Sequence, residues 1–407
     1  MDFLKSKVVL LLIPNLNFGG AQRVFYNLSI ELSKHYHVVE CVFNFDAGHV
    51  FQSGNEVLSL NVDGGKTIIG KLWKFLLRCR RLNKIKKTLK PDVCISHLEG
   101  ADLVNVLSGG SGKTITWLHG SKRYDENISG FIGFIRHYLL IPLTYKRADK
   151  VVTVSEAIKM ELVTYYGVYE NRIEPIYNYF DIDEIVVKSL VPLSPFYVPA
   201  FENGPVLIFS GRLVRQKNPH AMLSWFASFR KQFYCKLIIV GDGDLRESLL
   251  QFTKELGLKM CSVWSGQEFH SKYDVYFLGF QENPFQFIKQ ADVFILPSLW
   301  EGFPMALGEA MACGVPVVSA NCPTGPKEML MEDDSKKLTY PYFASFGLLL
   351  PLLKQSTFSI WTEGISELLS NKNHRENYTI QAEKRAADFS KKNNSARATE
   401  LVKSVLA

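Results

Sequence analysis

Glu301 and Glu309 stand eight residues apart in the segment SLWEGFPMALGEAMACG, residues 298–314. Each carboxylate could accept hydrogen bonds from hydroxyl groups. The apolar run Asp292–Leu296 leading into them reads as a strand, and Gly302 and Pro304 then force a turn into a helix that Gly314 ends. The first turn of a helix leaves backbone N–H groups unpaired and carries the positive end of the helix dipole, so the turn after Glu301 favours an anion. A diphosphate resting on that helix start, with one carboxylate on a sugar hydroxyl and the other on a ribose hydroxyl, would make a nucleotide-sugar site.

The twenty residues EGFPMALGEAMACGVPVVSA, from Glu301, resemble the signature of the retaining glycosyltransferases of family 4, which have the GT-B fold. The resemblance implies that Glu301 lies by the donor sugar and Glu309 on the ribose, with Gly302, Phe303 and Pro304 in the donor-binding turn. Further segments match the same family. Val206–Ser210 reads as a buried strand followed by GRLVRQKNP, residues 211–219, in which Asn218 is a good helix N-cap and Pro219 suits the first helical position. This loop is similar to the family's GRL-x3-K pattern, which implies that Arg212 and Lys217 hold the donor diphosphate. Near the amino terminus, strand Val8–Ile13 runs into a turn at Gly19 and Gly20, where two glycines let the backbone approach a ligand closely. By resemblance that turn faces the diphosphate from the opposite domain. The strand Thr114–Leu118 ends in His119 and Gly120, and His119 is implied to face the donor sugar. Phe280, in the turn after a strand at 275–278, is implied to lie where the nucleotide base packs.

Short apolar β-rich runs alternate with helical stretches through both halves of the chain: near 7–13, 37–43, 92–96, 113–118 and 150–154, then 206–210, 236–240, 275–278, 292–296 and 315–319. Such alternation predicts parallel sheets, whose ligands bind at the carboxyl ends of the strands. Every motif above sits at such an end. The expected fold is therefore α/β of the GT-B kind, two Rossmann-like parallel-sheet domains facing across a cleft. The boundaries are an amino-terminal acceptor-binding domain at 1–180, a nucleotide-sugar-binding domain at 181–375, and a carboxyl-terminal helix at 376–407 that returns to the first domain. Proline-rich sequence at 189–199 and the stretch Tyr177–Asp181 mark the hinge.

A chain of 407 residues exceeds one core and suits two. Hydrophobic residues at 47% and charged residues at 21% are ordinary for a globular enzyme. No run of 18 apolar residues appears, and the longest candidates, Phe346–Leu353 and Phe131–Tyr145, are broken by proline or by Arg136 and His137. Met1–Val8 leads directly into the first strand without a small-residue cleavage site, and the seven scattered cysteines never fall in C-x-x-C spacing. Both features suit a cytoplasmic protein with reduced thiols and no metal cluster.

The net charge of +7 comes entirely from residues 1–180, which hold 23 Lys and Arg against 16 Asp and Glu. Within them Lys66–Lys90 carries ten basic residues, no acid and interleaved apolar residues. It reads either as a surface helix meeting anionic lipid or a lipid-diphosphate acceptor, or as an ordinary helix covering the sheet. Nothing resembling a stacking platform or a known module accompanies it, so nucleic acid is not an expected partner. Two motifs mislead. Gly109–Thr114 resembles a P-loop but has Leu107 where the pattern needs glycine and precedes a strand. Asp242-Gly243-Asp244 has the D-x-D form of a metal motif, yet family members carry a Gly-x-Gly turn there and need no metal.

The resemblance thus implies a retaining enzyme that moves a hexose or N-acetylhexosamine from a UDP-sugar to a glycan or glycolipid hydroxyl, in envelope polysaccharide, lipopolysaccharide or lipid-linked oligosaccharide synthesis, without a cofactor. The alternatives are a GT-B UDP-sugar epimerase and a catalytically silent nucleotide-sugar-binding subunit.

Overall fold

The structure is a computed structural model that describes residues 7–17, 19–45, 52–65, 67–125, 130–333 and 335–407. Lys66, the first residue of the basic segment, and residues 1–6 lie outside the described residues. The chain divides into two compact units, one formed by the described residues of Met1–Tyr179 with Lys392–Ala407, the other by Phe180–Lys391.

The first unit is built on seven strands: β1 (Val8–Ile13), β2 (His37–Val42), β3 (Glu56–Ser59), β4 (Val93–His97), β5 (Lys113–Leu118), β6 (Lys150–Thr153) and β7 (Ile173–Pro175). They lie in the order β3-β2-β1-β4-β5-β6-β7, every neighbouring pair parallel. Strands covered on both faces need continuous apolar sequence, and Val9 through Ile13 are all fully buried. From β1 the chain builds outward through β2 and β3 and then returns to add β4 on the other side, so the order reverses between β1 and β4. That reversal is where an open α/β sheet leaves a crevice for ligands.

Helices α1 (Gly20–Ser33), α2 (Ile68–Leu89) and α3 (Glu99–Leu107) cover this sheet. The Thr67 hydroxyl caps α2 by accepting the Gly70 N–H at 3.1 Å. Its later turns pack Phe75, Leu77, Cys79, Leu82, Ile85 and Leu89 into the core. Its first turns do the reverse and leave Ile68, Ile69, Leu72, Trp73 and Leu76 exposed. The helix thus covers the sheet with its later turns only.

The second unit has eight strands: β8 (Val206–Ser210), β9 (Lys236–Val240), β10 (Met260–Ser262), β11 (Val275–Gly279), β12 (Val293–Leu296), β13 (Val317–Ala320), β14 (Tyr342–Ala344) and β15 (Gly347–Leu350). Their order is β10-β11-β9-β8-β12-β13-β15-β14, with only β14 antiparallel to its neighbour. Here the order reverses between β8 and β12. The apolar run at 346–353 contains β15, a buried core strand.

Around this sheet stand α4 (Pro219–Phe229), α5 (Met305–Ala312) and α6 (Lys372–Asp388), and α7 (Lys391–Leu406) follows. The return to the first unit comes later than residue 376, because α6 belongs to the second unit. The Asn371 side chain starts α6 by accepting the His374 N–H, the helix packs on α5, and the Arg385 guanidinium donates to the carbonyls of Glu328 and Met329. Only from Lys392 does α7 join the first unit, where Ala398, Leu401 and Val402 are buried. The crossing segments are themselves joined: Phe180 N–H donates to the Phe389 carbonyl at 2.9 Å and Lys391 N–H to the Phe180 carbonyl at 2.8 Å.

Candidate active site

At the reversal in the second sheet, the loop after β8 and the loop after β12 are locked together by three successive residues. Gln216 donates from Nε2 to the Trp300 carbonyl at 2.8 Å and accepts the Leu299 N–H on its own carbonyl at 2.8 Å. Lys217 Nζ lies 2.6 Å from Glu301 Oε1, with both side chains largely buried. Asn218 Nδ2 donates to the carbonyls of Pro297 and Leu353 at 3.3 and 3.0 Å. Asn218 is thus no side-chain cap of α4. Its backbone is left-handed (φ 56°), so the side chain reaches across to neighbouring loops instead of back over the helix, while Pro219 does occupy the first helical position.

The Glu301 turn is fixed from its other side. Glu301 N–H donates to the Pro323 carbonyl at 2.7 Å, and the Thr324 hydroxyl donates to the carbonyls of Glu301 and Gly302, each at 3.1 Å. Gly302, Phe303 and Pro304 are buried, and the Phe303 ring packs against Phe180 and Phe389 at centroid distances of 6.3 and 5.0 Å. Helix α5 starts directly after Pro304, so its first residue, Met305, comes four residues after Glu301. Glu309 sits half-buried on the second turn of α5, and Gly314 closes the helix with φ 67°.

Arg212 is exposed and makes no ion pair or side-chain hydrogen bond among the described residues. Its loop is held from behind by the turn after β9: Gly211 N–H donates to the Val240 carbonyl and Leu213 N–H to the Asp242 carbonyl, both at 3.0 Å. A side chain at Gly241 would collide with the Gly211 carbonyl, and one at Gly243 would come within 2.6 Å of the Leu213 carbonyl. The glycines of this turn thus serve close loop packing, and Asp242 pairs with Arg246 at 3.1 Å. Gly241 N–H also donates to the Gly279 carbonyl, tying in the end of β11, where the following Phe280 is half exposed.

Chemically, Lys217 neutralises Glu301, while Arg212 and the α5 first turn add uncompensated positive potential. The ensemble suits a group with two or more negative charges, beside which the second oxygen of Glu301 can accept a hydroxyl hydrogen bond.

In the first unit Gly19 is the N-cap of α1 and Gly20 its exposed first residue, placing the glycine turn after β1 at that sheet's reversal. His119 follows β5, with Nε2 2.9 Å from Nδ1 of His97, the last residue of β4. Burial, with Lys122 adding to it, drives the His119 imidazole down to about 3. Burial and then His119 hold His97 well below the usual range, so both rings are neutral at physiological pH. The next loop is pinned by buried Glu161, which accepts from Ser121 Oγ, Lys122 N–H and Arg123 N–H at 2.5, 2.7 and 3.0 Å. Lys122 pairs with Glu99, which also receives the Arg136 guanidinium. Burial would raise the Glu99 carboxyl, but Lys122 and Arg136 outweigh it and hold it at about 2. His97 and Gln216 were not singled out by the sequence reading. For His97 a signal existed, since VCISH at 93–97 ends in histidine as TWLH at 116–119 does.

Residues 18–184 match the family model described as Glycosyltransferase Family 4, and residues 194–345 match that of Glycosyl transferases group 1. An uncharacterized glycosyltransferase of Methanocaldococcus jannaschii is 31% identical over 294 residues, 68% of each chain. A Campylobacter jejuni enzyme named as a GalNAc-alpha-(1->4)-GalNAc-alpha-(1->3)-diNAcBac-PP-undecaprenol alpha-1,4-N-acetyl-D-galactosaminyltransferase is 26% identical over 387 residues, 93% of each chain. Among solved structures, Anabaena HepE in complex with UDP-glucose superimposes with a TM-score of 0.74 at 19% identity, covering 98% of this chain and 99% of that one. At that identity the likeness speaks for the fold.

Proposed function

Because the chain belongs to the family 4 and group 1 glycosyltransferases and has their GT-B fold, we infer that it transfers a hexose or N-acetylhexosamine from a UDP-sugar, with retention, to a hydroxyl of a glycan or glycolipid acceptor. The observation that carries this reading is the meeting, at the reversal of the second sheet, of the Lys217–Glu301 pair, the start of α5 and Arg212, which is unpaired among the described residues. Uridine is favoured because HepE, with the same fold, is described in complex with UDP-glucose. The undecaprenyl-diphosphate saccharide in the name of the Campylobacter relative favours a lipid-linked acceptor in envelope glycan synthesis.

In this reading Arg212, Lys217 and the α5 N–H groups hold the diphosphate and stabilise the charge that grows on it as the bond from sugar C1 to phosphate oxygen breaks. Each such donor contributes about 3–4 kcal/mol in comparable sites. The acceptor oxygen bonds to C1 on the same face, and its proton passes to the departing phosphate oxygen. Glu301 and Glu309 accept hydroxyl hydrogen bonds from sugar and ribose. Fixed cationic side chains supply the neutralisation that a metal gives elsewhere, so no divalent ion is required. The exposed apolar turns of α2, flanked by lysines, support a cytoplasmic protein resting on an anionic membrane; no helix among the described residues is long and apolar enough to cross one.

The test is a screen of UDP-sugars against lipid-diphosphate and lipopolysaccharide-core acceptors, run in excess chelator with product mass detection. Sugar transfer from a UDP donor is the expected result. Donor consumption without acceptor would indicate an epimerase, tight UDP binding without transfer a silent subunit, and a preference for GDP would overturn the donor assignment.

A further inference from the structure

In a parallel sheet each crossover helix starts beyond the carboxyl end of one strand and runs back along the sheet to the start of the next. Two such helices of the first unit are longer than their strands. Helix α2 has 22 residues, about 33 Å, and the helical stretch of residues 130–147, which joins β5 to β6, is about 27 Å long. The strands they join have only four to six residues, about 13–20 Å. The later turns of both lie on the sheet, where Ile141, Thr144 and Tyr145 are buried as Leu82 and Lys86 are. Their first turns therefore overhang the carboxyl ends of the strands. Because β3 to β4 and β5 to β6 cross the strand order in the same direction, right-handed crossovers put both helices on one face, and α3 packs against both.

The overhang at 130–140 is inside out. Towards the protein it turns Gly133 and Arg136, whose guanidinium donates to both carboxylate oxygens of Glu99, at 2.6 and 2.8 Å, and to Asp125 at 3.0 Å. Towards solvent it turns Phe131, Ile132, Phe134, Tyr138 and Leu139, with Phe131 78% and Tyr138 74% exposed. The Phe134 and Tyr138 rings pack at a centroid distance of 4.6 Å. A helix facing water carries the opposite pattern, so this face suits an apolar medium.

The surrounding charge says which medium. Arg123, exposed in the loop after β5, lies 3.7 Å over the Tyr165 ring and makes no ion pair among the described residues. Lys71 is exposed among the apolar first turns of α2, and residues 1–180 hold the whole excess of +7. Aromatic side chains flanked by cations match an anionic bilayer, whereas a second copy of this chain would bring the same positive charge and be repelled. We propose that the overhang at 130–140 is a second membrane contact of the first unit, which docks on anionic lipid with the carboxyl ends of its strands toward the bilayer. The choice of surface rests on the membrane reading of α2; the transferase reading is not involved. A lipid-linked acceptor would then meet the ligand end of this sheet without leaving the bilayer surface.

The wild-type chain carries a fluorescent reporter of α2 in Trp73, and a Trp73→Phe, Phe134→Trp double variant moves that reporter to the second contact. With vesicles of phosphatidylcholine and phosphatidylglycerol whose acyl chains are brominated, the double variant is expected to be quenched relative to Trp73→Phe alone. Phe131→Glu with Phe134→Glu, both on exposed side chains, is expected to lower affinity for anionic vesicles roughly tenfold or more, with melting temperature and UDP affinity unchanged. A double variant that sediments with the vesicles but is not quenched overturns the proposal and leaves α2 as the contact. A wild-type dimer that the two glutamates dissociate, with vesicle binding intact, also overturns it and assigns the patch to a second copy. Quenching of the double variant without quenching of wild-type Trp73 upholds this contact and refutes that of α2 alone. None of these readouts depends on sugar transfer.

Discussion

Arg212 and Lys217 share one loop, but their surroundings separate what their substitution reports. Lys217 is the buried partner of Glu301, and removing one member of such a pair costs about 3–5 kcal/mol through the charge left behind. Arg212 is exposed and unpaired among the described residues, where substitutions stay within about 0.5 kcal/mol, so its loss reports ligand binding. Asp102 gives a second residue-scale prediction. Burial pushes its carboxyl up to about 8, against the pull of Lys122 and hydrogen bonds from Ser96 Oγ and Tyr145 OH. The folded chain keeps this proton where the unfolded chain, with an ordinary value of 3.8, has lost it. The resulting stabilisation is complete below 3.8 and disappears as pH rises through 8. Denaturant titrations from about pH 5 to 8 should therefore show wild-type stability declining and Asp102→Asn declining less; parallel curves would refute the buried proton. That Arg212 and Lys217 follow one strand, and Glu301 and Glu309 another, was legible because it lies in local spacing. The bonds that Gln216 and Thr324 make were not, because their partners stand 84 and 23 residues away and meet only through strand order.

At the scale of elements, the donor loops are positioned by one another. The turn after β9 carries the Arg212 loop on its back, and Gly241, with φ 131°, leaves no room there for a side chain. Gly241→Ala should lose roughly 1–3 kcal/mol of stability from strain and displace the Arg212 loop, weakening UDP binding. Gly257→Ala is the control, since its φ is 70° but nothing lies within 4 Å. Calorimetric melting with UDP titration would decide, and equal effects of the two substitutions would show that close packing at Gly241 is irrelevant. The long apolar strands could be read from sequence because burial on both faces demands continuous apolar runs. The strands β3, β7, β10 and β14 could not, because they stand at the edges of the two sheets and their three or four residues carry no continuous apolar run. Asn218 misled for a related reason, since cap chemistry is local and its left-handed backbone is imposed by the loops it joins.

Across the whole molecule, the uneven charge is a property of the chain that no single site explains. Residues 1–180 hold the entire excess of +7, and their helix α2 exposes Ile69 at 82% and Trp73 at 58%. Apolar insertion together with lysines, each worth about 1 kcal/mol near an anionic surface, gives reversible membrane binding. Co-sedimentation with vesicles containing phosphatidylglycerol should fall with salt and fall further in the Ile69→Glu, Trp73→Glu double variant. Equal binding to neutral and anionic vesicles would leave α2 as a plain cover of the sheet. The two-unit α/β plan was legible from the alternation of elements. The later return of the chain at Lys392 was not, because the amphipathic pattern of α6 does not say which unit it covers.

The account centres on Arg212 and its neighbours gripping the diphosphate of a nucleotide donor. Titration calorimetry of UDP and UMP against the wild-type protein and Arg212→Ala tests this without any acceptor. Wild type should prefer UDP about tenfold or more, as expected for a hydrogen bond to a charged group, and the variant should lose most of that preference while binding UMP nearly as before. An undiminished UDP preference in Arg212→Ala would contradict it.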